Sequence, residues 1–374
     1  MQTKKAVAAG HICLDITPVF PKGSAGTELS HFLRPGKLTE VEASAIHTGG
    51  SVANTGIAMK VLGADVRLIG KVGADAFGDM IRHILDEYGA GGDLIVSEGE
   101  TTSYTIVIAP PGIDRLFLHC PGANDSFSGE DIPAAALNDI ALFHFGYPPL
   151  LRRMRENGGA ELVRLLKDVK AQGIATSLDL ADVDPASDAG KVDWKQLLTD
   201  TLPYVDFFVP SYEELCGMLD KPRLAALRAR AGDRDLTDVL DPEDDIRSLA
   251  EMCIAMGAKA VLLKCGAPGM YLITSTETDK IGRRLELDAD AWRDFSRFER
   301  SFKIDRVLSG TGAGDTSIAA FLTAVLGGCG PEEALRLASA EGALCCTAYD
   351  AVSGLLPFSK VREKISAGWE KAAR

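Results

Sequence analysis

Apolar positions along this chain recur with two different periods, and the places where the period changes mark its elements. Residues 6–13 are small and apolar with weak alternation, the pattern of a central strand buried on both faces. Residues 52–62 predict a helix of small side chains, entered at Gly49-Gly50 and ended by Gly63. Val66, Leu68 and Gly70 alternate as a strand. Phe77, Met80, Ile81, Ile84, Leu85 and Tyr88 then fall at helical spacing. From residue 140 onward strands (140–145, 174–180, 205–209, 260–264, 270–274) alternate with helices (162–169, 194–198, from 211, 246–253, 330–346, 361–370). Repeated alternation of this kind predicts one α/β domain, a mostly parallel sheet covered by helices on both faces.

Three regions break the rhythm. Residues 101–109 and 115–119 read as two strands joined by PPGID, a hairpin. Together with the polar excursion at 15–47 it predicts a small separate sheet. Residues 221–244 and 277–300 are charged and read as surface insertions. Residues 316–326 are apolar nearly all round, as in a buried helix, and stop at Gly327 and Gly328.

Composition narrows the functional classes. Hydrophobic residues make up 46% and charged residues 25% of the 374, ordinary values for a globular chain. The net charge of −13 argues against a nucleic-acid surface. No apolar run reaches membrane-span length, and no membrane partner is expected. His11 and Asp15 interrupt the N-terminal apolar run, so a first strand is expected there rather than a signal peptide. The eight cysteines form no CxxC pair and are expected to be reduced residues of a cytoplasmic protein.

The candidate chemistry lies just ahead of the all-apolar helix, in SGTGAGD. Gly310, Gly312 and Gly314 strip side chains from a turn, so backbone N–H groups can close on an anion. The following helix adds its dipole. Asp315, at the mouth of that turn, is a candidate general base for phosphoryl transfer. No GxxxxGK[ST] loop exists, since Gly73 to Gly78 has Asp79 where the lysine belongs. A dinucleotide fingerprint needs a following strand that ends in an acid, but helical patterns follow here. Asp15 lies just past the first predicted strand, where ligands of open α/β sheets gather.

Two motifs, GGSVANTGIAMKVLG followed by VGADAFG, and GAGDTSIAAF, in this order and spacing, resemble those of the ribokinase-like (PfkB) family of carbohydrate and nucleoside kinases. GAN at 122–124 and KCGAPG at 264–269 fit the same resemblance, which spans about residues 5–364. It implies a three-layer α/β/α fold with a small β-sheet lid, built here from about 15–47 and 97–122. It implies transfer of the γ-phosphate of ATP, with Mg²⁺, to an alcohol of a small sugar-like substrate. Asp315 is then the base, and the N–H groups of Gly312, Ala313 and Gly314 form the anion hole. Asp15, Gly49, Gly50, Asn54 and Asn124 match substrate-binding positions. Ser211, Lys264, Gly266 and Gly269 match nucleotide-binding ones, and Glu214 matches the acid that orders Mg²⁺ through water. Pairing of two copies through the lid also belongs to this expectation.

Three departures qualify it. Ser211 stands where the family commonly has asparagine. Ser309-Gly310 replaces an Asp-Thr pair, so a monovalent cation requirement does not carry over. Gly146 stands about where ribokinases proper place a sugar-binding glutamate, which weighs against ribose itself. The expected activity is that of an ATP-dependent sugar kinase. A nucleoside kinase on the same scaffold is the nearer rival, and a non-catalytic sugar- or nucleotide-binding regulator the more distant one.

Overall fold

The computed structural model describes residues 4–21, 23, 26–113 and 115–372. Positions 22, 24, 25 and 114 of the expected lid lie outside the described residues. The strands in chain order are β1 (Lys5–Gly10), β2 (Cys13–Val19), β3 (Glu42–Gly49), β4 (Asp65–Ile69), β5 (Lys71–Gly73), β6 (Ile95–Ser97), β7 (Tyr104–Ile108) and β8 (Leu116–Cys120). They continue with β9 (Ile140–Gly146), β10 (Ala175–Leu178), β11 (Phe207–Phe208), β12 (Ala260–Lys264), β13 (Gly269–Thr274) and β14 (Ser296–Arg300). Eight of them form the central sheet in the order β14-β13-β12-β11-β10-β9-β1-β4. Pairing is parallel from β4 to β12 and antiparallel at β12-β13 and β13-β14.

Alternate residues of each strand enter separate cores, the two-residue period expected of a sheet covered on both faces. Ala6, Ala8, Leu68, Leu142 and Phe207 pack with the helices Ser51–Val61, Ala313–Leu326 and Pro331–Cys345. Val7, Ala9, Phe143, Phe145 and Phe208 pack with Ala160–Ala171, Trp194–Thr201, Tyr212–Leu219 and Ser248–Ala255. The Ala313–Leu326 helix is buried along almost its whole length, which accounts for its missing polar face.

The second sheet, β3-β2-β7-β8, is the small separate sheet expected, and it is called the lid below for its place in the chain. The run expected as one strand at 6–13 is split, because at His11 and Ile12 the chain leaves the central sheet and enters this one. Backbone bonds hold the crossing: His11 N–H donates to the Gly146 carbonyl at 3.2 Å, and Val52 N–H to the His11 carbonyl at 3.1 Å.

Both expected insertions are more structured than their charge suggested. Lys221–Ala231 is a helix whose N-cap, Asp220, accepts from Arg223 N–H at 3.0 Å. The 277–300 segment supplies the edge strand β14 and a core tryptophan, Trp292, edge-on to Phe207 and Phe321. Isolated apolar residues among charges conceal such a segment, because they set up no period. Among the described residues no helix is long and apolar enough to cross a membrane.

Candidate active site

The first turns of two helices, Ser51–Val61 and Ala313–Leu326, meet at Asp315. This residue is 6% exposed. Asn54 Nδ2 donates to Oδ2 at 3.0 Å and Thr55 Oγ1 to Oδ1 at 3.4 Å. The Tyr147 hydroxyl donates to Oδ1 at 2.7 Å. Gly312 caps the second helix at φ 78°, which a side chain would resist. Within this turn Ala313 N–H donates to the Gly310 carbonyl at 3.3 Å. Among the described residues no acceptor takes the N–H groups of Gly312, Gly314 or Asp315. The donors left for an anion are therefore Gly312, Gly314 and Asp315 rather than Gly312, Ala313 and Gly314. First-turn N–H groups have no partner inside their own helix, so the fold itself keeps them available.

Lys264 reaches this turn from the end of β12: a Cβ built on Gly314 would lie 3.7 Å from its Nζ. It is neither solvated nor free, since Nζ pairs at 2.9 Å with Oδ1 of the buried Asp179, and the lysine side chain itself is largely covered. Burial pushes the Asp179 carboxyl up to about 8 against the pull of Lys264, and Glu214 and Asp315 add to the rise. Burial also opposes the Lys264 charge, but Asp179, Glu214 and Asp315 outweigh it and hold the ammonium above its ordinary pKa. One cation thus sits among three carboxylates beside the anion turn.

On the lid side, Asp15 of β2 lies against Gly49, its carboxylate being so close that a Cβ on Gly49 would fall 2.2 Å from Oδ2. Burial raises the Asp15 pKa, and hydrogen bonds from Cys13 and Thr105 temper the rise. Gly50 turns the chain at φ 87° over His11. His11 is buried with both ring nitrogens unpartnered, and burial, then His119, lowers its pKa to about 3, so the ring is neutral. Its ring centroid stands 5.4 Å from that of His119 and 6.2 Å from that of Tyr147. His144 is likewise buried and neutral, bridging Ser51 Oγ (3.3 Å) and Ser177 Oγ (3.0 Å), a structural role.

Not every expected residue points into this space. Asn124 is fully buried, its amide bracketing Ile12: Nδ2 donates to the carbonyl at 2.8 Å and Oδ1 accepts from the N–H at 3.3 Å. It fixes the crossing from central sheet to lid instead of facing a substrate. Ser211 and Glu214 form a reciprocal capping box, Ser211 N–H donating to Glu214 Oε2 at 3.0 Å, which the S-x-x-E spacing already announces. Gly266 turns at φ 64° against Thr237, and Gly269 lies where a Cβ would strike the Glu299 carbonyl at 2.2 Å. Gly269 thus answers to the pairing with β14. From the lid, Arg115 Nη1 donates to Thr311 Oγ1 at 2.5 Å, joining the β7–β8 hairpin to the anion turn.

Tyr147 and Asp179 are site residues that sequence reasoning missed. In HFGYPP the resemblance singles out Gly146, whose ideal Cβ would fall 1.7 Å from Ser51 Oγ and 2.2 Å from Ser51 Cβ, so a side chain there would clash. The neighbouring tyrosine takes a left-handed backbone, φ 62° and ψ 46°, that no local pattern announces.

A family model described as "pfkB family carbohydrate kinase" matches residues 23–357. Among curated proteins the chain is 23% identical to a ribokinase of Arabidopsis thaliana, over 93% of this chain and 80% of that protein. It is 25% identical to a 2-dehydro-3-deoxygluconokinase of Thermoproteus tenax, over 83% of this chain and 82% of that protein. Among solved structures, A. thaliana ribokinase complexed with ribose and ATP superposes with a TM-score of 0.69 at 19% identity, covering 97% of this chain and 98% of that one. A putative ribokinase II from E. coli, in complex with ATP and Mg²⁺, gives 0.68 at 20%, covering 97% and 99%.

Proposed function

Because the chain belongs to the pfkB family of carbohydrate kinases, we propose that it transfers the γ-phosphate of ATP to a hydroxyl of a sugar or sugar-like alcohol, with Asp315 as general base. The observation that carries this reading is the meeting of two helix mouths at one buried carboxylate: Asn54, in the first turn of the helix entered at Gly49-Gly50, bonds Asp315 in the first turn of the helix that follows the anion turn.

In this reading Asp315 takes the proton as the acceptor O–H bond breaks. The acceptor oxygen then bonds the γ-phosphorus, and the bond from phosphorus to the ADP oxygen breaks. The N–H groups of Gly312, Gly314 and Asp315, with the Lys264 ammonium, hold the charge on the transferred group; such a loose transition state needs little else from the protein. Asp15 and the Gly49-Gly50 turn face the acceptor, and the lid excludes water that would otherwise compete.

The donor set fits a Mg²⁺ brought with the nucleotide. Among the described residues no three His, Cys, Asp or Glu side chains form a metal cage. Mg²⁺ commonly binds through one or two carboxylates, waters and phosphates. Glu214, with one oxygen taken by Ser211, would hold it through water, and the ion would neutralise phosphate charge.

Two lid aromatics that could have stacked on a nucleobase are engaged elsewhere, which supports a sugar over a nucleoside. Phe32 lies edge-on to Phe20 and Tyr104 edge-on to Phe77, both at 5.4 Å. All eight cysteines are free thiols, which supports a reducing, cytoplasmic setting. We place a second copy of the chain against the lid's outer strand.

A coupled ATP-consumption screen over sugars, sugar acids, polyols and nucleosides tests the activity. Acceptor-dependent consumption with a sugar-like member is expected, and none with any member would overturn it. Asp315→Asn lowers kcat by at least ~10²-fold, the usual scale for a general base, while ATP still binds by calorimetry. Near wild-type turnover in that variant would sink the assignment of the base.

A further inference from the structure

We propose that Tyr147 is a positioning residue: its hydroxyl fixes the Asp315 carboxylate so that a single lone pair, on Oδ2, is left to receive the acceptor's proton. This rests on Asp315 being the base.

A carboxylate offers about four acceptor positions, two on each oxygen. In the structure Oδ1 takes the Tyr147 hydroxyl at 2.7 Å and Thr55 Oγ1 at 3.4 Å, and Oδ2 takes Asn54 Nδ2 at 3.0 Å. One position on Oδ2 remains. Of the three bonds the phenol's is the shortest, in the range of a charge-assisted O–H···O⁻ contact, and Thr55 alone is too long to hold Oδ1. Without Tyr147 the carboxylate is tethered at Asn54 and free to turn about it, which moves the open lone pair away from the acceptor.

The backbone holds the phenol in place against its own preference. A left-handed backbone is uncommon for any residue but glycine, and Tyr147 adopts it between Gly146 and a buried Pro148-Pro149 pair. Gly146 is pressed against Ser51 on one side. On the other, Pro148 and Pro149 are buried, and a proline disfavours a helical ψ in the residue before it, so the φ 62° and ψ 46° of Tyr147 are held against its local sequence. A strained conformation kept by its surroundings, with its side chain on the reacting carboxylate, marks a functional position. Burial, then the Asp315 charge, holds the Tyr147 phenol well above its ordinary pKa, so it remains a donor at neutral pH.

The test is a double-mutant cycle on four proteins: wild type, Tyr147→Phe, Asp315→Asn and the double variant. Turnover is measured with saturating ATP and the best acceptor among d-ribose, d-fructose and 2-dehydro-3-deoxy-d-gluconate, water counting as an acceptor. Tyr147→Phe is expected to lower kcat about 10- to 100-fold, the scale of a small misplacement of a reacting group, with the KM for ATP unchanged. In the Asp315→Asn background the same substitution is expected to cost nothing further, because the carboxylate it positions is gone. A fold defect would lower both backgrounds alike, so an equal loss in both overturns the proposal while leaving Asp315 as base. Near wild-type kcat in Tyr147→Phe also overturns it. Near wild-type kcat in Asp315→Asn would instead overturn the base itself. Tyr147→Asn, whose side chain tolerates a left-handed backbone, repeats the cycle without the ring and must show the same dependence on Asp315.

Discussion

Lys264 and Asp179 pair at 2.9 Å with side chains 12% and 1% exposed, directly behind the anion turn. Removing one partner of such a pair leaves the other's buried polar atom unpaired, at a cost of about 1–3 kcal/mol. Lys264→Met is therefore expected to lower the melting temperature as well as activity, and adding Asp179→Asn is expected to restore the melting temperature alone. Thermal melts and ATP kinetics on the two variants check this; recovery of activity in the double variant would show that Lys264 only neutralises Asp179. At this scale the sequence revealed the residues whose type and motif coincide: Asp315 after three glycines, Asn54 after two. Asp179 and Tyr147 stayed hidden because their partners lie 85 and 168 positions away. Asn124 is expected at the substrate by resemblance, but its attachment to Ile12 depends on a contact 112 residues apart.

Among the elements, the Pro331–Cys345 helix carries a buried carboxyl inside its packing. Glu341 is fully buried; Oε2 accepts from Leu356 N–H at 3.3 Å and Oε1 has no partner. Burial pushes its pKa up to about 8, only partly offset by the Leu356 bond. An unfolded glutamate titrates near 4.3. Between the two values the folded protein keeps a proton that the unfolded chain has released, so this group's contribution is complete below ~4 and falls as pH rises through about 8. Glu341→Gln removes the titration. Its melting temperature relative to wild type is expected to rise from pH 5 to pH 9, each unit in the window being worth up to ~1.4 kcal/mol. Parallel pH curves would show that Glu341 is already charged. Long periodic helices such as this one were readable from sequence. The break in the first strand and the β14 edge were not, because a change of sheet and a lone core tryptophan leave no period behind.

For the molecule as a whole, the lid leaves β8 as an edge strand with Leu116, Phe117 and Leu118 exposed in a row, Phe117 at 59% and Leu118 at 55%. A row of apolar side chains on an open edge favours pairing with another chain. We expect a dimer through this edge and a monomer from Phe117→Asp, as measured by light scattering after size exclusion; an unchanged mass would place any assembly elsewhere. The two-layered frame of helices around a parallel sheet followed from alternation alone. The coupling of lid to anion turn through Arg115 and Thr311 did not, since it joins two loops 196 residues apart.

The contact between Gly146 and Ser51 also bears on how this protein's relatives could diverge. With 1.7 Å between the absent Cβ and Ser51 Oγ, and 2.2 Å to Ser51 Cβ, even alanine at 51 would leave no room for a longer side chain at 146. Replacing Ser51 to make room would also strip His144 Nε2 of its Ser51 partner. A side chain at 146 therefore needs Ser51 to move or to be replaced, so the two positions are coupled.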